Sequence, residues 1–291
     1  MPREKQQAVI PCRLEPAVKL QVDEFADALQ QAAPTIGHHG LREEEFWRTG
    51  IFRAAVEKIR GTFSATTSDK QAFVGDVLDW LQSGNRITGW ARAGTNDRHD
   101  YEVTLPSGRV CAIEAKGCLD GNNTNIFQRP ANADEFVIWS MCQNPGADPR
   151  HNAWSGIHTR LSAEVVYRRE VVDALIIWDE LCGTLGRPCP KRECRERSTR
   201  IGKRIVPPPC IYLFPRTVPD PRNNPTPVVH GIGEVEFVKT MYDALACDAG
   251  DVTEVRIEAQ MKGASIARKT TLVRDGAEIR ASALSVIKRA R

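Results

Sequence analysis

The 291-residue sequence predicts an α/β protein, because an amphipathic helical pattern gives way to a run of strand patterns in the middle of the chain. A further helical pattern and a buried-strand pattern follow between residues 161 and 178. The 41% hydrophobic and 26% charged residues are ordinary for a folded protein and argue against wholesale disorder. Since domains run to roughly 100–200 residues, the length suggests one large domain or two small ones.

Helical patterns dominate the first sixty residues. Leu20–Ala33 carries apolar residues at helical spacing and stops before Pro34. Leu41–Arg60 repeats this spacing, with Gly50 as a weak point because glycine costs about 1 kcal/mol in a helix interior. We therefore expect a helical N-terminal extension over residues 1–64.

The next helical pattern has clear ends and one apolar stripe. Ser68 or Asp69 can cap its start, and Ser83-Gly84-Asn85 terminates it. Five apolar side chains recur at helical spacing along one face, namely Phe73, Val74, Val77, Leu78 and Leu81. An amphipathic helix is therefore expected at residues 69–83.

Strand patterns follow this helix. Arg86–Ala93 has the pattern of a short strand. Tyr101–Leu105 and Arg109–Lys116 flank Pro106-Ser107-Gly108, a sequence typical of a hairpin turn. Glu135–Met141 fits either a strand or a helical turn.

Less regular segments make up the rest of the chain. Leu161–Glu170 has a helical pattern, and the apolar, β-branched Val171–Trp178 fits a buried strand. Arg187–Pro209 is expected to be a basic, proline-containing loop. Further strands are expected at Ile211–Phe214, Val252–Ile257 and Thr270–Val273, with a short basic helix at the end of the chain.

Basic residues are concentrated in two zones although the net charge is only +3. Residues 181–222 hold ten Lys or Arg against three Asp or Glu, and residues 256–291 hold nine against three. Such zones can present basic surface to a polyanion. On charge alone, an ordinary solvated surface is the favoured interpretation.

The sequence predicts a protein of the reducing cytoplasm. It contains no apolar run of about 18 residues, so no transmembrane helix is expected. Its basic start lacks the apolar stretch of a signal peptide, and nine cysteines without an export signal suggest free thiols or metal ligands. Four of them, Cys182, Cys189, Cys194 and Cys210, leave a structural zinc site open, although their spacing does not match the usual short knuckle.

One hairpin brings together side chains suited to metal chemistry. Strand alternation points Glu114 and Lys116 the same way, and antiparallel pairing places Asp100 near them. Carboxylate oxygens suit a hard cation such as Mg²⁺, and the lysine can hold or polarise a metal-bound water. The alternative is a surface hairpin with a cross-strand Asp–Lys ion pair. The apolar Val110–Ile113 favours a buried strand, in which unpartnered charges would be costly.

Asp100, Glu114-Ala115-Lys116 and the order of helices and strands around them resemble the PD-(D/E)xK nucleases, which have the restriction-endonuclease-like fold. The resemblance covers about residues 65–180 and implies an αβββαβ core with a mixed central sheet. We accordingly expect a nuclease core at residues 65–215, and a basic C-terminal extension at 216–291 packed on that core.

The resemblance also implies roles for the hairpin residues. Asp100 and Glu114, helped by the backbone carbonyl of Ala115, would bind Mg²⁺, and Lys116 would orient and activate the attacking water. The sequence departs from the family in placing His99, not proline, before the aspartate. Other carboxylates remain as alternatives or additions: Asp97 as a rival of Asp100, Glu102 as a supporting residue, and Glu57 from an upstream helix with Glu45 and Asp76 as its rivals.

Two segments are candidates for DNA contact. The loop after the hairpin offers amide and guanidinium groups that can contact bases or phosphates, at Asn122, Asn123, Asn125, Gln128 and Arg129. The basic run at residues 191–204 offers phosphate contacts from Lys191, Arg192, Arg195, Arg197 and Arg200. Both segments also fit ordinary solvated loops.

The function that the sequence predicts is Mg²⁺-dependent cleavage of double-stranded DNA by a type II restriction endonuclease, acting as a homodimer by analogy with such enzymes. A repair, recombination or mobile-element nuclease with the same core is the first alternative. A non-catalytic DNA-binding protein and a zinc-stabilised adaptor are alternatives from other classes.

Overall fold

A computed structural model describes residues 67–94, 99–117, 129–142, 171–179 and 197–286. The helices expected at residues 20–33, 41–60 and 161–170 lie outside these ranges, as does the end of the chain beyond residue 286.

The described chain contains two α-helices, α1 at Thr67–Ser83 and α2 at Glu236–Ala244. The strands, in chain order, are β1 Gly89–Arg92, β2 Tyr101–Thr104, β3 Val110–Gly117, β4 Glu135–Cys142, β5 Ala174–Asp179, β6 Thr199–Ile201, β7 Arg204–Val206, β8 Cys210–Leu213, β9 Val252–Lys262, β10 Ser265–Arg274, β11 Ala277–Ala281 and β12 Ser285–Val286. Short 3-10 turns at Ile232–Glu234 and Ala249–Asp251 precede α2 and β9.

Ten strands form one mixed sheet with the order β1-β2-β3-β4-β5-β8-β9-β10-β11, in which β12 also pairs with β10. β1, β2 and β3 are antiparallel, β3, β4 and β5 are parallel, and β8 returns antiparallel to β5. β9 runs parallel to β8. β10 is antiparallel to β9, and β11 is antiparallel to β10. The predicted α/β class and mixed sheet are confirmed.

Several elements match the sequence predictions and others differ. The helix at 69–83 and the hairpin strands around Pro106–Gly108 are present, and Glu135–Met141 belongs to a strand rather than a helical turn. The basic segment predicted as a loop up to Pro209 is not all loop, because β6 and β7 pair within it. Three-residue strands are too short to produce a period-two pattern.

Apolar side chains pack on both faces of the sheet. On the first face, alternate residues of β2 to β5, such as Ile113 and Trp139, pack against the apolar stripe of α1 and against Phe237 of α2. On the second face, Ala112 and Phe136 belong to a separate cluster that reaches β9 and β10. The two clusters follow from strand alternation, which sends successive side chains to opposite faces.

The predicted boundary at residue 215 falls within this one sheet, because β9, β10 and β11 extend it beyond β8. Helix α2 is tied to the start of β4 by a buried carboxylate. Glu135 accepts hydrogen bonds from the backbone N–H groups of Glu236 at 2.6 Å and Phe237 at 2.9 Å, and its Oε1 lies 2.9 Å from Arg109 Nη1. Burial raises the pKa of Glu135, against the lowering effect of these hydrogen bonds and of Arg109.

Phe73→Ala is expected to lower the free energy of unfolding by about 3–5 kcal/mol, as for other buried aromatic side chains. Phe73 is buried, and its ring lies edge-on to Trp178 at 5.4 Å and to Trp139 at 6.3 Å between centroids. Urea unfolding measures the change, with the exposed Val228→Ala as a control expected within about 0.5 kcal/mol of the wild type. A loss below about 1 kcal/mol for Phe73→Ala would contradict this packing.

Candidate active site

Asp100 and Glu114 both lie at the open end of the β2–β3 hairpin. The strand register pairs Glu102 with Ala112 and ends with Tyr101 paired with Ile113. Asp100 comes immediately before this last pair on one strand, and Glu114 comes immediately after it on the other. The two carboxylates that the sequence analysis singled out are therefore at the same end of the hairpin.

Asp100 is held in place by the strand that it faces. Its backbone N–H donates to the carbonyl oxygen of Ile113 at 2.9 Å, and its Oδ2 accepts a hydrogen bond from the N–H of Ala115 at 2.7 Å. The side-chain carboxylate thus continues the hydrogen bonds of the hairpin beyond β2. Because the N–H and C=O of one strand residue point to the same side, the Ala115 carbonyl also points towards this edge of β3.

Glu114 differs from Asp100 in its surroundings, since it is only 6% exposed whereas Asp100 is exposed. It follows Ala112 on the second face of the sheet, where β3 lies between β2 and β4. Burying a carboxylate costs free energy unless hydrogen bonds or a cation compensate. Glu114 has an interaction partner within the protein, which contributes to offsetting this cost.

Lys116 occupies the position in β3 that the sequence analysis expected. Its backbone lies two residues beyond Glu114, and in the parallel register it is paired with Ser140 of β4. The Lys116 side chain lies outside what the structure describes.

The donor set at the hairpin end fits a hard cation such as Mg²⁺. It offers two carboxylates and a backbone carbonyl, and Mg²⁺ is usually bound through one or two carboxylates with several waters retained. In the described part of the chain, no three His, Cys, Asp or Glu side chains gather closely enough to hold a metal ion. The proposed site has only two such side chains, and its third donor is a backbone carbonyl. Mg²⁺ binding at this site therefore stays a prediction.

Glu102, the predicted supporting residue, has hydrogen-bond partners of its own near Asp100. Its Oε1 lies 3.1 Å from His99 Nε2 and accepts a hydrogen bond from Asn132 Nδ2 at 3.0 Å. These contacts join the start of the hairpin to the turn before β4. The sequence analysis did not single out Asn132, because its partner lies thirty residues away along the chain.

Arg129, a predicted DNA contact, is engaged within the protein. Its Nη1 lies 3.2 Å from the buried carboxylate of Asp173, and its Nε and Nη2 donate to the carbonyls of Ala133 and Asp134. Burial alone would raise the pKa of Asp173, but the hydrogen bond from His230 and the charge of Arg129 bring it below its ordinary value. This network holds in place the residues immediately before β4 and β5.

The predicted contacts in the basic run have different surroundings. Arg197 Nη1 lies 2.5 Å from Asp251 and 3.1 Å from Asp248, whereas Arg200 in β6 is exposed.

Asp76, a rival for the upstream carboxylate, pairs with Arg204. The remaining candidates lie outside the described residues, namely Glu45, Glu57, Asp97, Asn122, Asn123, Asn125, Gln128, Lys191, Arg192 and Arg195.

The zinc prediction concerns mainly residues outside the described part of the chain. Cys182, Cys189 and Cys194 are among these, while Cys210 begins β8. Cys247, which the spacing did not single out, lies close enough to Cys210 for that thiol to contribute, as a minor cause, to the raised pKa of Cys247. Burial, with Asp251 nearby, raises the pKa of Cys247 to about 12, which disfavours the thiolate that zinc binding needs.

In comparisons with known proteins, the chain matches no family model, no curated protein and no solved structure. None of the described helices is both long and apolar enough to cross a membrane.

Proposed function

We propose that the protein is a Mg²⁺-dependent endonuclease that hydrolyses DNA phosphodiester bonds, of the type II restriction class and acting in the cytoplasm as a homodimer. The observation that carries this proposal is the hydrogen bond from the N–H of Ala115 to the Asp100 carboxylate, which holds Asp100 beside the part of β3 that carries Glu114. Hydrogen-bonded surroundings of this kind fix a carboxylate in one orientation, as a catalytic site requires.

The order of elements supports the restriction-endonuclease-like core. The resemblance implies a helix followed by three strands, and α1, β1, β2 and β3 follow one another in that order. In the sheet, β4 lies between β3 and β5. Both β4 and β5 run parallel to β3. Such a sheet brings the ends of β3, β4 and β5 to one edge, beside the hairpin end that holds Asp100.

In this proposal, Asp100, Glu114 and the carbonyl of Ala115 hold the metal ion. The bound Mg²⁺ supplies charge stabilisation at the phosphate and lowers the pKa of a coordinated water. Asp100 keeps its orientation through Ala115, and Glu114 contributes a second negative charge from a buried position. Lys116 orients the attacking water and offsets negative charge that develops on the phosphate.

Incubation with plasmid and phage DNA tests the proposal, in parallel reactions with Mg²⁺, with Ca²⁺ and with EDTA. We expect discrete fragments in Mg²⁺ alone, because sequence-specific cleavage gives defined ends. A smear in Mg²⁺ would favour a repair, recombination or mobile-element nuclease. Binding without cleavage in every condition would contradict the enzyme and favour a non-catalytic DNA-binding protein.

A further inference from the structure

The β6–β7 hairpin is a short two-stranded ribbon within the basic segment. Gly202 and Lys203 form its two-residue turn, and Gly202 has a φ of +56°, a conformation that glycine adopts without steric cost. Residues 199–206 contain three basic side chains and no Asp or Glu.

One face of the ribbon anchors it to the first face of the sheet. Ile201 and Val206 are buried in the same cluster as Phe73 and Trp178. Arg204 Nε lies 2.7 Å from Asp76 Oδ2, and its guanidinium lies 5.6 Å from the centre of the Phe73 ring. Beyond the ribbon, Trp178 Nε1 donates to the carbonyl of Pro207 at 2.9 Å. The ribbon is therefore fixed relative to α1 and β5.

The opposite face of the ribbon points to solvent and combines charge with apolar surface. Arg200 pairs with Ile205 across the two strands, and Ile205 is 63% exposed. Lys203 is exposed at the turn. Two cations beside an exposed isoleucine suit a polyanion that also offers apolar surface, as sugars and thymine methyl groups do in DNA.

The ribbon also lies at the end of the sheet where the candidate active site lies. The strand registers align Lys116 with Ser140, Ser140 with Ile177, and Ile177 with Cys210. Cys210 begins β8 immediately after the proline run that follows the ribbon. Three strand spacings of about 4.8 Å separate Lys116 from Cys210, or roughly 14 Å. The ribbon packs on the first face of the sheet, whereas Glu114 shares the second face with Ala112, so DNA that reaches both passes over this end of the sheet.

We infer that the β6–β7 ribbon is a DNA-contacting element in which Arg200 and Lys203 bind phosphates and Ile205 contacts a groove of the same duplex that enters the active site. This inference rests on the proposed nuclease function and adds to it the surface that holds the DNA. Two-stranded ribbons are one of the shapes that enter a DNA groove.

Salt-dependent DNA binding tests the inference with the full chain in Ca²⁺, which separates binding from cleavage. Each lost phosphate contact lowers the slope of log K against log salt by about 0.9, so Arg200→Ala with Lys203→Ala should lower it by about 1.8. Ile205→Ser should weaken binding about fivefold, as expected for lost apolar contact, with the slope unchanged. Thermal unfolding verifies that each variant remains folded.

The matched control removes two cations at the other end of the sheet. Arg222 follows β8, and Lys262 ends β9, which runs parallel to β8 and away from the site. Arg222→Ala with Lys262→Ala should leave both the slope and the affinity near the wild-type values. An equal change of slope in both double variants would overturn the inference, because the effect would then reflect net charge alone.

The wild-type reactions separate the two proposals. If wild-type protein cleaves DNA in Mg²⁺ and the ribbon variants bind with unchanged slope and affinity, the ribbon inference is wrong and the nuclease proposal stands. If the wild type binds DNA as inferred but does not cleave it, the ribbon inference stands and the nuclease proposal fails. If the wild type does not bind duplex DNA, both are wrong.

Discussion

Asp100→Asn and Glu114→Gln are each expected to slow single-turnover DNA cleavage by at least about 10²-fold, with folding and DNA binding preserved. Both changes keep the size of the side chain and remove one negative charge from the proposed cation site. The asparagine oxygen can still accept the hydrogen bond from the N–H of Ala115, so the local structure should survive. Cleavage is measured in Mg²⁺, and binding is measured separately in Ca²⁺.

Asp97→Asn is the control for this pair. It removes a carboxylate three residues before Asp100, and little loss of cleavage is expected. If Asp97→Asn abolished cleavage while Asp100→Asn did not, the first carboxylate would be Asp97. Wild-type rates in both Asp100→Asn and Glu114→Gln would show that the hairpin is not the active site.

Lys116→Ala is expected to slow cleavage by about 10²–10³-fold while both carboxylates still bind the cation. The variant lacks the ammonium that orients the attacking water and offsets charge on the phosphate. Lys116→Arg should not restore the rate, because a planar guanidinium does not replace a compact ammonium in a confined site. Single-turnover cleavage measures the rate, and DNA binding in Ca²⁺ should remain near that of the wild type.

A near wild-type rate for Lys116→Ala would assign the lysine to a surface ion pair. Rescue by arginine would leave a role for positive charge but not for a positioned ammonium. Ser140→Ala is a useful companion, because the backbone of Ser140 pairs with that of Lys116 while its hydroxyl has no role in the proposed chemistry. It should cleave DNA at a rate close to that of the wild type.

The hairpin could be predicted from sequence because its determinants are local. The turn residues Pro106–Gly108 set the register, which brings Asp100 to the end of β3 that carries Glu114. Helix α1 was predictable for the same reason, since its five apolar residues recur at helical spacing and all are buried.

Other features depend on partners distant in the chain and were not predictable. In the sequence, an arginine that forms an internal ion pair looks the same as one that contacts DNA. Arg129 is paired with Asp173, 44 residues away, and Arg197 with Asp251, 54 residues away. Nothing near either arginine in the sequence signals these ion pairs. Helix α2 was also missed, although its start is stabilised by Glu135, about a hundred residues earlier in the chain.

The proposed metal site at Asp100 and Glu114 has its most direct test in cation binding. Mn²⁺ prefers the same oxygen ligands as Mg²⁺, and its free concentration can be followed by electron paramagnetic resonance. The wild type should bind Mn²⁺ saturably, the Asp100→Asn, Glu114→Gln double variant should lose that binding, and Glu102→Gln should retain it. Equal Mn²⁺ binding by the wild type and the double variant would contradict the proposed metal site.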